Sequence, residues 1–95
     1  MNYVVLSKDE LADELQALGP QWSGSVDLIL RSWSLESFEE AMTLANRIAA
    51  LCVQKSHHLD LLIRRRRVIA ELRTNAAGGV TAEDITLARG LNELM

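Results

Sequence analysis

The amino-acid sequence predicts an α+β fold in which a small antiparallel sheet is covered on one face by helices. Three segments open with a capping pattern and continue with apolar residues at helical spacing, and two strand-like segments lie between them. The length of 95 residues, of which 48% are hydrophobic and 24% charged, suits a single globular domain over residues 1–95. A chain that is disordered by composition is therefore excluded.

The first element is a helix from about Ser7 to Leu18. Ser7 and Glu10 have the spacing of a capping box, in which each side chain bonds the backbone N–H of the other residue. Leucines then recur at helical spacing. The helix ends at Gly19-Pro20, because proline disfavours a helical conformation in the residue before it.

Strand-like sequence occupies residues 21–35 and residues 59–74. The first stretch mixes branched and aromatic residues in loose alternation, which predicts one or two strands, with a hairpin turn near Ser23-Gly24 if there are two. The second stretch is interrupted by Arg64–Arg67 and alternates regularly beyond them. It therefore predicts a hairpin whose turn lies among the arginines.

Two further helices are predicted, one before and one after the second hairpin. Ser37 and Glu40 have the spacing of a capping box for a helix that runs to about Lys55 with apolar residues at three- and four-residue steps. Thr81 and Asp84 open the last helix in the same style. Asp84 lies in its first turn, where the helix dipole favours a negative charge.

One face of the predicted sheet has no helices, so it must face water or a second subunit. We expect Ile29, Trp33 and Ile69 to lie on this outer face. Large apolar side chains on an open face favour association of the protein with a second copy of itself. The sequence therefore predicts a homodimer.

Charge and composition exclude several classes of function. The 10 Lys and Arg residues against 13 Asp and Glu give a net charge of −3, and 4% of residues are aromatic, which disfavours direct nucleic-acid binding. No apolar run has the length of a membrane span, and the first residues do not resemble a signal peptide. Cys52 is the single cysteine, and no Cys/His spacing suits zinc. We expect a cytoplasmic protein without a metal.

Two short motifs could carry chemistry. His57 and His58 stand together at the end of the long helix, where imidazoles could bond the last helical carbonyls or act as proton-transfer groups. Arg64–Arg67 could form a solvated hairpin tip, or could bind an anion or a protein partner through their guanidinium groups. Residue types and spacing alone leave these alternatives open.

A longer pattern of motifs runs from about Leu11 to Leu94. In chain order, its segments are Leu30-Arg31-Ser32-Trp33, His57-His58-Leu59-Asp60, Thr74-Asn75, Gly78-Gly79-Val80-Thr81 and Asp84. This pattern resembles the pterin-4a-carbinolamine dehydratase family, which has a His-His-Pro stretch, a Thr-His pair before a Gly-Gly turn, and an Asp that opens a helix. Several matches at consistent spacing make the resemblance specific.

The resemblance implies a two-layer sandwich of a four-stranded antiparallel sheet with three helices on one face, assembled as a dimer or a tetramer. It also implies an enzyme, a hydro-lyase of tetrahydrobiopterin recycling, that removes water from a 4a-hydroxytetrahydropterin to give the quinonoid dihydropterin. No metal or bound cofactor is implied. In that family histidines pass the protons, which makes His57 and His58 the predicted catalytic residues.

The sequence departs from the family at four positions of the implied site. The family's third histidine is replaced by Asn75, which can hydrogen-bond a pterin but cannot transfer protons near neutral pH. The aromatic residue expected beside the pterin is replaced by Arg65, and Val53 and Leu59 replace an acid and a proline. We expect substrate binding by Asn75, Arg65 and the helix-opening Asp84, and an activity that is reduced or altered.

The alternative function is a non-catalytic interaction or assembly protein on the same scaffold. Relatives of this family act as dimerisation cofactors for a transcription factor, and degenerate relatives assist the assembly of ribulose-bisphosphate carboxylase. In that case we expect Arg64–Arg67 to bind an acidic protein surface, because a cluster of guanidinium groups suits carboxylates better than a flat neutral pterin.

Overall fold

The computed structural model describes residues 3–94, which form three helices and four strands in the order that the sequence predicts. The elements are α1 (Lys8–Leu18), β1 (Trp22–Ser25), β2 (Leu28–Ser34), α2 (Phe38–Lys55), β3 (Asp60–Arg64), β4 (Arg67–Leu72) and α3 (Ala82–Asn92). All strand pairs are antiparallel, and the sheet order is β1-β2-β4-β3. The predicted α+β fold, with three helices over a four-stranded sheet, is confirmed.

The helices begin where the capping residues predict. The Ser7 hydroxyl accepts from the Glu10 N–H at 3.1 Å, and the Glu10 carboxylate accepts from the Ser7 N–H at 2.9 Å, so the first capping box is complete. Ser37 likewise accepts from the Glu40 N–H at 3.1 Å. The Glu40 carboxylate, however, accepts from the Glu36 N–H, so the second box lacks its reciprocal bond.

The first hairpin turns at Val26-Asp27, and the predicted turn at Ser23-Gly24 is wrong. Ser25 pairs with Leu28, and the Ser25 hydroxyl accepts from the Asp27 N–H at 3.2 Å, which stabilises the turn. Gly24 is a strand residue with φ 135°, and a Cβ atom there would clash with the Leu28 carbonyl oxygen. The glycine therefore permits a close approach of two strands rather than a reversal of the chain.

The second hairpin turns at Arg65-Arg66, as predicted. Arg65 has a left-handed backbone with φ 51°, a conformation that costs a residue other than glycine about 1 kcal/mol. The Arg66 carbonyl accepts from the Leu35 N–H at 2.7 Å, which ties the turn to the end of β2.

The phase of β2 corrects one expectation about the outer face. Ile29 and Trp33 are 0% and 5% exposed and lie in the core beneath the helices, so only Ile69 of the three expected residues lies on the open face. The alternation of β2 places Arg31 on the inner face with them. Both alternating sets of β2 contain apolar residues, so hydrophobicity does not determine which set faces inward.

Arg31 is accommodated on the inner face by Asn92, the last residue of α3. The Asn92 side-chain oxygen accepts from the Arg31 guanidinium and, at 2.7 Å, from the Trp22 indole N–H. Its amide donates to the Leu18 carbonyl at 2.9 Å, and the Arg31 guanidinium lies 4.7 Å from the centre of the Trp33 ring. Burial lowers the pKa of Arg31. Asn92 thus joins the ends of α1 and α3 to the strand pair β1–β2.

The face of the sheet away from the helices has an apolar centre. Leu62 and Ile69 are directly paired across β3 and β4, and Leu30 lies on the same face of β2. All three side chains are partly exposed, whereas Val68 and Ala70, which alternate with Ile69, are fully buried beneath the helices.

Replacing Asn92 by alanine should lower the free energy of unfolding by about 2–3 kcal/mol, because the Arg31 and Trp22 donors lose their shared acceptor in a partly buried site. Urea denaturation would measure the change. Glu93→Ala, at the neighbouring exposed position, is the matched control and should change stability by less than about 0.5 kcal/mol. Equal losses in both variants would contradict the role of Asn92.

Candidate functional site

The end of α2 determines the placement of the two histidines. Ser56 adopts a left-handed backbone with φ 54°, and the His57 N–H donates to the Cys52 carbonyl at 3.1 Å, which terminates the helix. The chain then extends into β3, and successive side chains of an extended chain point to opposite sides. His57 and His58 therefore enter different environments.

His57 pairs with the buried carboxylate of Asp84 at the start of α3. Its Nε2 lies 2.7 Å from the Asp84 Oδ1, and the two side chains are 15% and 0% exposed. The Asp84 Oδ2 accepts from the Thr74 hydroxyl and from the Thr81 N–H, each at 2.9 Å. The ring therefore bonds a carboxylate rather than the last helical carbonyls, and the carboxylate accepts hydrogen bonds from three groups.

The hydrogen-bond pattern assigns a tautomer to His57. When the Asp84 carboxylate is ionised it can only accept, so the Nε2 of His57 must then be the donor to Oδ1. In a neutral ring the Nδ1 is then the basic nitrogen, free to accept a proton. The buried carboxylate lies where it can stabilise the positive charge of the ring after that transfer. His57 with Asp84 has the geometry of an oriented general base.

Thr74 and Thr81 are site residues that sequence reasoning did not assign. They are 5% and 0% exposed, and their hydroxyl oxygens lie 2.8 Å apart. The Thr81 hydroxyl can also donate to the Glu83 carboxylate at 3.0 Å. The sequence signal for Thr81 is its spacing from Asp84. An Asp three residues after a capping Thr directs its carboxylate back to the backbone N–H of that Thr.

The glycine-containing loop presents Asn75 from a closed turn. The Thr74 N–H donates to the Gly79 carbonyl at 2.9 Å, and the Gly78 N–H donates to the Thr74 carbonyl at 2.9 Å. A Cβ atom on Gly79 would lie 2.6 Å from the Val26 carbonyl oxygen, so the loop packs directly against the first hairpin. Asn75 is exposed at the start of this turn.

His58 and Asn75 meet in a small polar hollow on the open face of the sheet. The hollow has a volume of about 80 Å³, and its lining consists of His58, Leu59, Asp60, Glu71, Arg73 and Asn75. Glu71 and Arg73 face away from the helices because they alternate with the buried Ala70 and Leu72. Hydrogen-bond donors and carboxylates thus stand together, an arrangement that can bond the edge of a polar heterocycle.

His57 lines a separate hollow of about 170 Å³ between the last residues of α2 and the first residues of α3, together with Lys55, Glu83 and Thr86. Arg65 lies at neither place. It occupies the turn at the far end of the β3–β4 hairpin, roughly 15 Å from the His58 hollow at the usual rise of a strand. Within one chain the structure therefore joins His57 to Asp84 and His58 to Asn75, and does not bring Arg65 to them.

Residues 3–94 do not favour a cysteine nucleophile, a metal site or a membrane-spanning helix. Burial raises the pKa of the Cys52 thiol, against a smaller opposing effect of backbone hydrogen bonds, so the thiol is protonated and a poor nucleophile at neutral pH. No three His, Cys, Asp or Glu side chains of these residues are grouped as metal ligands. None of the described helices is both long enough and apolar enough to span a bilayer.

Comparison with known proteins gives a consistent family assignment. The family model described as "Pterin 4 alpha carbinolamine dehydratase" matches residues 4–94. A protein of Nocardia farcinica (strain IFM 10152) is 43% identical over 94 residues, 99% of this chain and 98% of its own length. A protein of Aquifex aeolicus (strain VF5) is 34% identical over 90 residues, 95% of this chain and 90% of its own. Both carry provisional pterin-4-alpha-carbinolamine dehydratase names.

Solved structures share the fold. A transcriptional coactivator/pterin dehydratase from Brucella melitensis superposes with a TM-score of 0.86 at 28% identity, over 94% of this chain and 96% of that one. A pterin dehydratase-like protein identified as a RuBisCO assembly factor of the alpha-carboxysome gives 0.62 at 15% identity, over 77% and 84%. The second likeness concerns the fold alone.

Thr74→Val should lower the free energy of unfolding by about 1–3 kcal/mol, because the buried Asp84 carboxylate loses a donor while the shape of the side chain is kept. Thr74→Ser keeps the hydroxyl and should recover most of that loss. The matched control is Thr86→Val, the same change at an exposed helical position. Chemical denaturation of all three variants is the measurement, and an equal loss in Thr74→Val and Thr86→Val would contradict the assignment.

Proposed function

The chain belongs to the pterin-4a-carbinolamine dehydratase family, and on that premise we propose that it dehydrates a 4a-hydroxytetrahydropterin to the quinonoid dihydropterin, at a reduced rate. The observation that carries the proposal is the His57–Asp84 pair, an imidazole oriented by a buried carboxylate. Such a pair is not needed to complete the apolar core, but it suits proton transfer.

The reaction moves two protons without any change in oxidation state. The ring nitrogen next to C4a loses its proton, and the electron pair of that N–H bond forms the C=N bond. The C4a–O bond breaks, and the hydroxyl departs with a second proton as water. His57 is the proposed proton-transfer group, since its Nδ1 is the basic nitrogen of the oriented ring. His58 is the second proposed catalytic residue, beside the exposed Asn75.

Two features support a reduced rate. Asn75 can orient a pterin by hydrogen bonds but has no titratable proton near neutral pH. The hollows at His57 and His58, about 170 and 80 Å³, are smaller than the roughly 300 Å³ at which ligand pockets usually begin. In one chain a pterin would therefore lie partly in solvent, which weakens both its binding and its orientation.

The proposal needs no metal or bound cofactor, because side chains can handle both protons. We also propose a cytoplasmic location, a compartment in which a lone buried thiol such as Cys52 stays reduced.

We also propose a homodimer through the open face of the sheet. Leu30, Leu62 and Ile69 form its apolar centre, and their burial against a second copy would remove them from water. A dimer would also enclose more of the His58 hollow, which opens on the same face. Association of two such dimers into a tetramer is compatible with this contact.

Stopped-flow dehydration of a freshly generated 4a-hydroxytetrahydropterin tests the catalytic proposal. We expect a weak rate above buffer in the parent, and a rate in His57→Gln that falls to that of buffer, because a glutamine amide can bond Asp84 but cannot transfer protons. General acid–base groups typically contribute about 10²–10⁴-fold, so Asn75→His should raise the rate by up to about 10²-fold.

Circular dichroism should show that His57→Gln and Asn75→His fold like the parent. A parent rate that His57→Gln does not change would contradict the role of His57. Absence of catalysis in all three proteins would favour the alternative function, a non-catalytic interaction protein. The feature that supports this alternative is the location of Arg65, which lies away from both histidines among three other arginines.

Sedimentation analysis tests the dimer. The parent should sediment as a dimer, or as a tetramer, at micromolar concentration, and Ile69→Lys should shift it to a monomer because a charge would be buried at the centre of the contact. Thr86→Lys, on the exposed side of α3, is the control and should leave the assembly unchanged. A monomeric parent would refute the proposed interface.

A further inference from the structure

The turn of the second hairpin carries four exposed arginines, Arg64–Arg67, which we call the arginine tip. None of their side chains forms a salt bridge or a hydrogen bond with any other side chain of residues 3–94. The chain has 10 Lys and Arg residues; without these 4, the remaining 6 face 13 Asp and Glu, a net charge of −7. The tip is a cationic spot on an otherwise acidic protein.

The arginine tip works against the stability of the hairpin. Arg65 adopts the left-handed backbone, φ 51°, that glycine or asparagine adopts more easily. Arg64 and Arg67 are directly paired across the strands, where like charges repel. A strained backbone and a like-charge pair in one turn point to a requirement other than folding.

The tip is also tied to the end of β2 and lies beside the apolar side chain of Leu35. The Arg66 carbonyl accepts from the Leu35 N–H at 2.7 Å, which fixes the turn against the end of β2. A hollow of about 330 Å³ lies between the four arginines, Ser34 and Leu35. Leu35 also borders a second hollow of about 250 Å³ along α2, whose other lining residues are Glu40, Thr43, Leu44 and Arg47.

We propose that the arginine tip is a docking surface for a short acidic segment of another protein. Carboxylates of the segment would form paired hydrogen bonds with the guanidinium groups, and a neighbouring apolar side chain would rest on Leu35. The surface lies roughly 15 Å along the hairpin from the His58 hollow, so this function is independent of the proposed dehydration.

The charge distribution favours a short peptide over an extended polyanion. Nucleic acid or an anionic membrane would also approach the rest of the chain, whose net charge of −7 repels it. A short segment contacts only the tip, and at physiological salt charges beyond about 8 Å are largely screened. Neither hollow beside the tip has an aromatic lining residue on which bases could stack.

Fluorescence anisotropy with a labelled glutamate-rich peptide that contains one leucine tests the proposal. The parent should bind it more tightly than the same peptide with glutamine in place of glutamate. Arg65→Glu combined with Arg66→Glu should weaken binding at least about tenfold, through loss of two attractive charges and gain of two repulsive ones. Lys8→Glu combined with Arg89→Glu, on α1 and α3, changes the net charge equally and should alter binding by less than about threefold.

Arg65→Gly provides a second variant whose folding is secure, because glycine fits the left-handed backbone. It should raise the urea midpoint of unfolding and still weaken peptide binding. Arg66→Glu alone should leave the dehydration rate of the parent unchanged, because Arg66 lines neither of the two histidine hollows. Equal weakening by the tip and control pairs would overturn the proposal. Tighter binding of phosphatidylserine vesicles or of a single-stranded oligonucleotide than of the peptide would overturn it as well.

Discussion

The buried carboxylate of Asp84 is the constraint on which the site depends. A fully buried charge is costly unless several donors satisfy it. Asp84 obtains those donors from three separate segments: His57 at the end of α2, Thr74 at the start of the glycine-containing loop, and Thr81 at the start of α3. Satisfying this single charge therefore fixes the mutual position of α2, the loop and α3. The orientation of the His57 ring follows from folding itself.

A second polar network holds the opposite end of α3, and its charged member is a cation, Arg31, rather than a carboxylate. There Asn92 accepts from Arg31 and Trp22 and donates to Leu18, in place of a carboxylate partner for the arginine. The helix is thus anchored at its first turn to the candidate site and at its last residue to α1 and the β1–β2 hairpin. Because both ends are held, displacement of α3 requires the loss of one polar network or the other.

The secondary structure could be predicted because its signals are local. Capping pairs such as Ser7 and Glu10 are three residues apart, and the alternation of β4 is visible within six residues. The polar contacts that position the site join residues distant in sequence: His57 and Asp84 are 27 residues apart, and Arg31 and Asn92 are 61 apart. Spacing carries no information about such pairs. The family resemblance named His57 and Asp84 together, but it also grouped Arg65 with them, which the hairpin separates within one chain.

Asn75 and Asp84 differ in how freely they can change. Asn75 is exposed on a turn whose geometry is set by backbone bonds of Thr74 and Gly79, so a histidine could be exchanged for asparagine there at little cost to the fold. Asp84 cannot be exchanged without leaving buried donors unpaired. The constraint on His57 is intermediate. Asp84 requires a hydrogen-bond donor at this position, but the donor need not be a titratable group. An amide would satisfy the fold, and only proton transfer requires the imidazole.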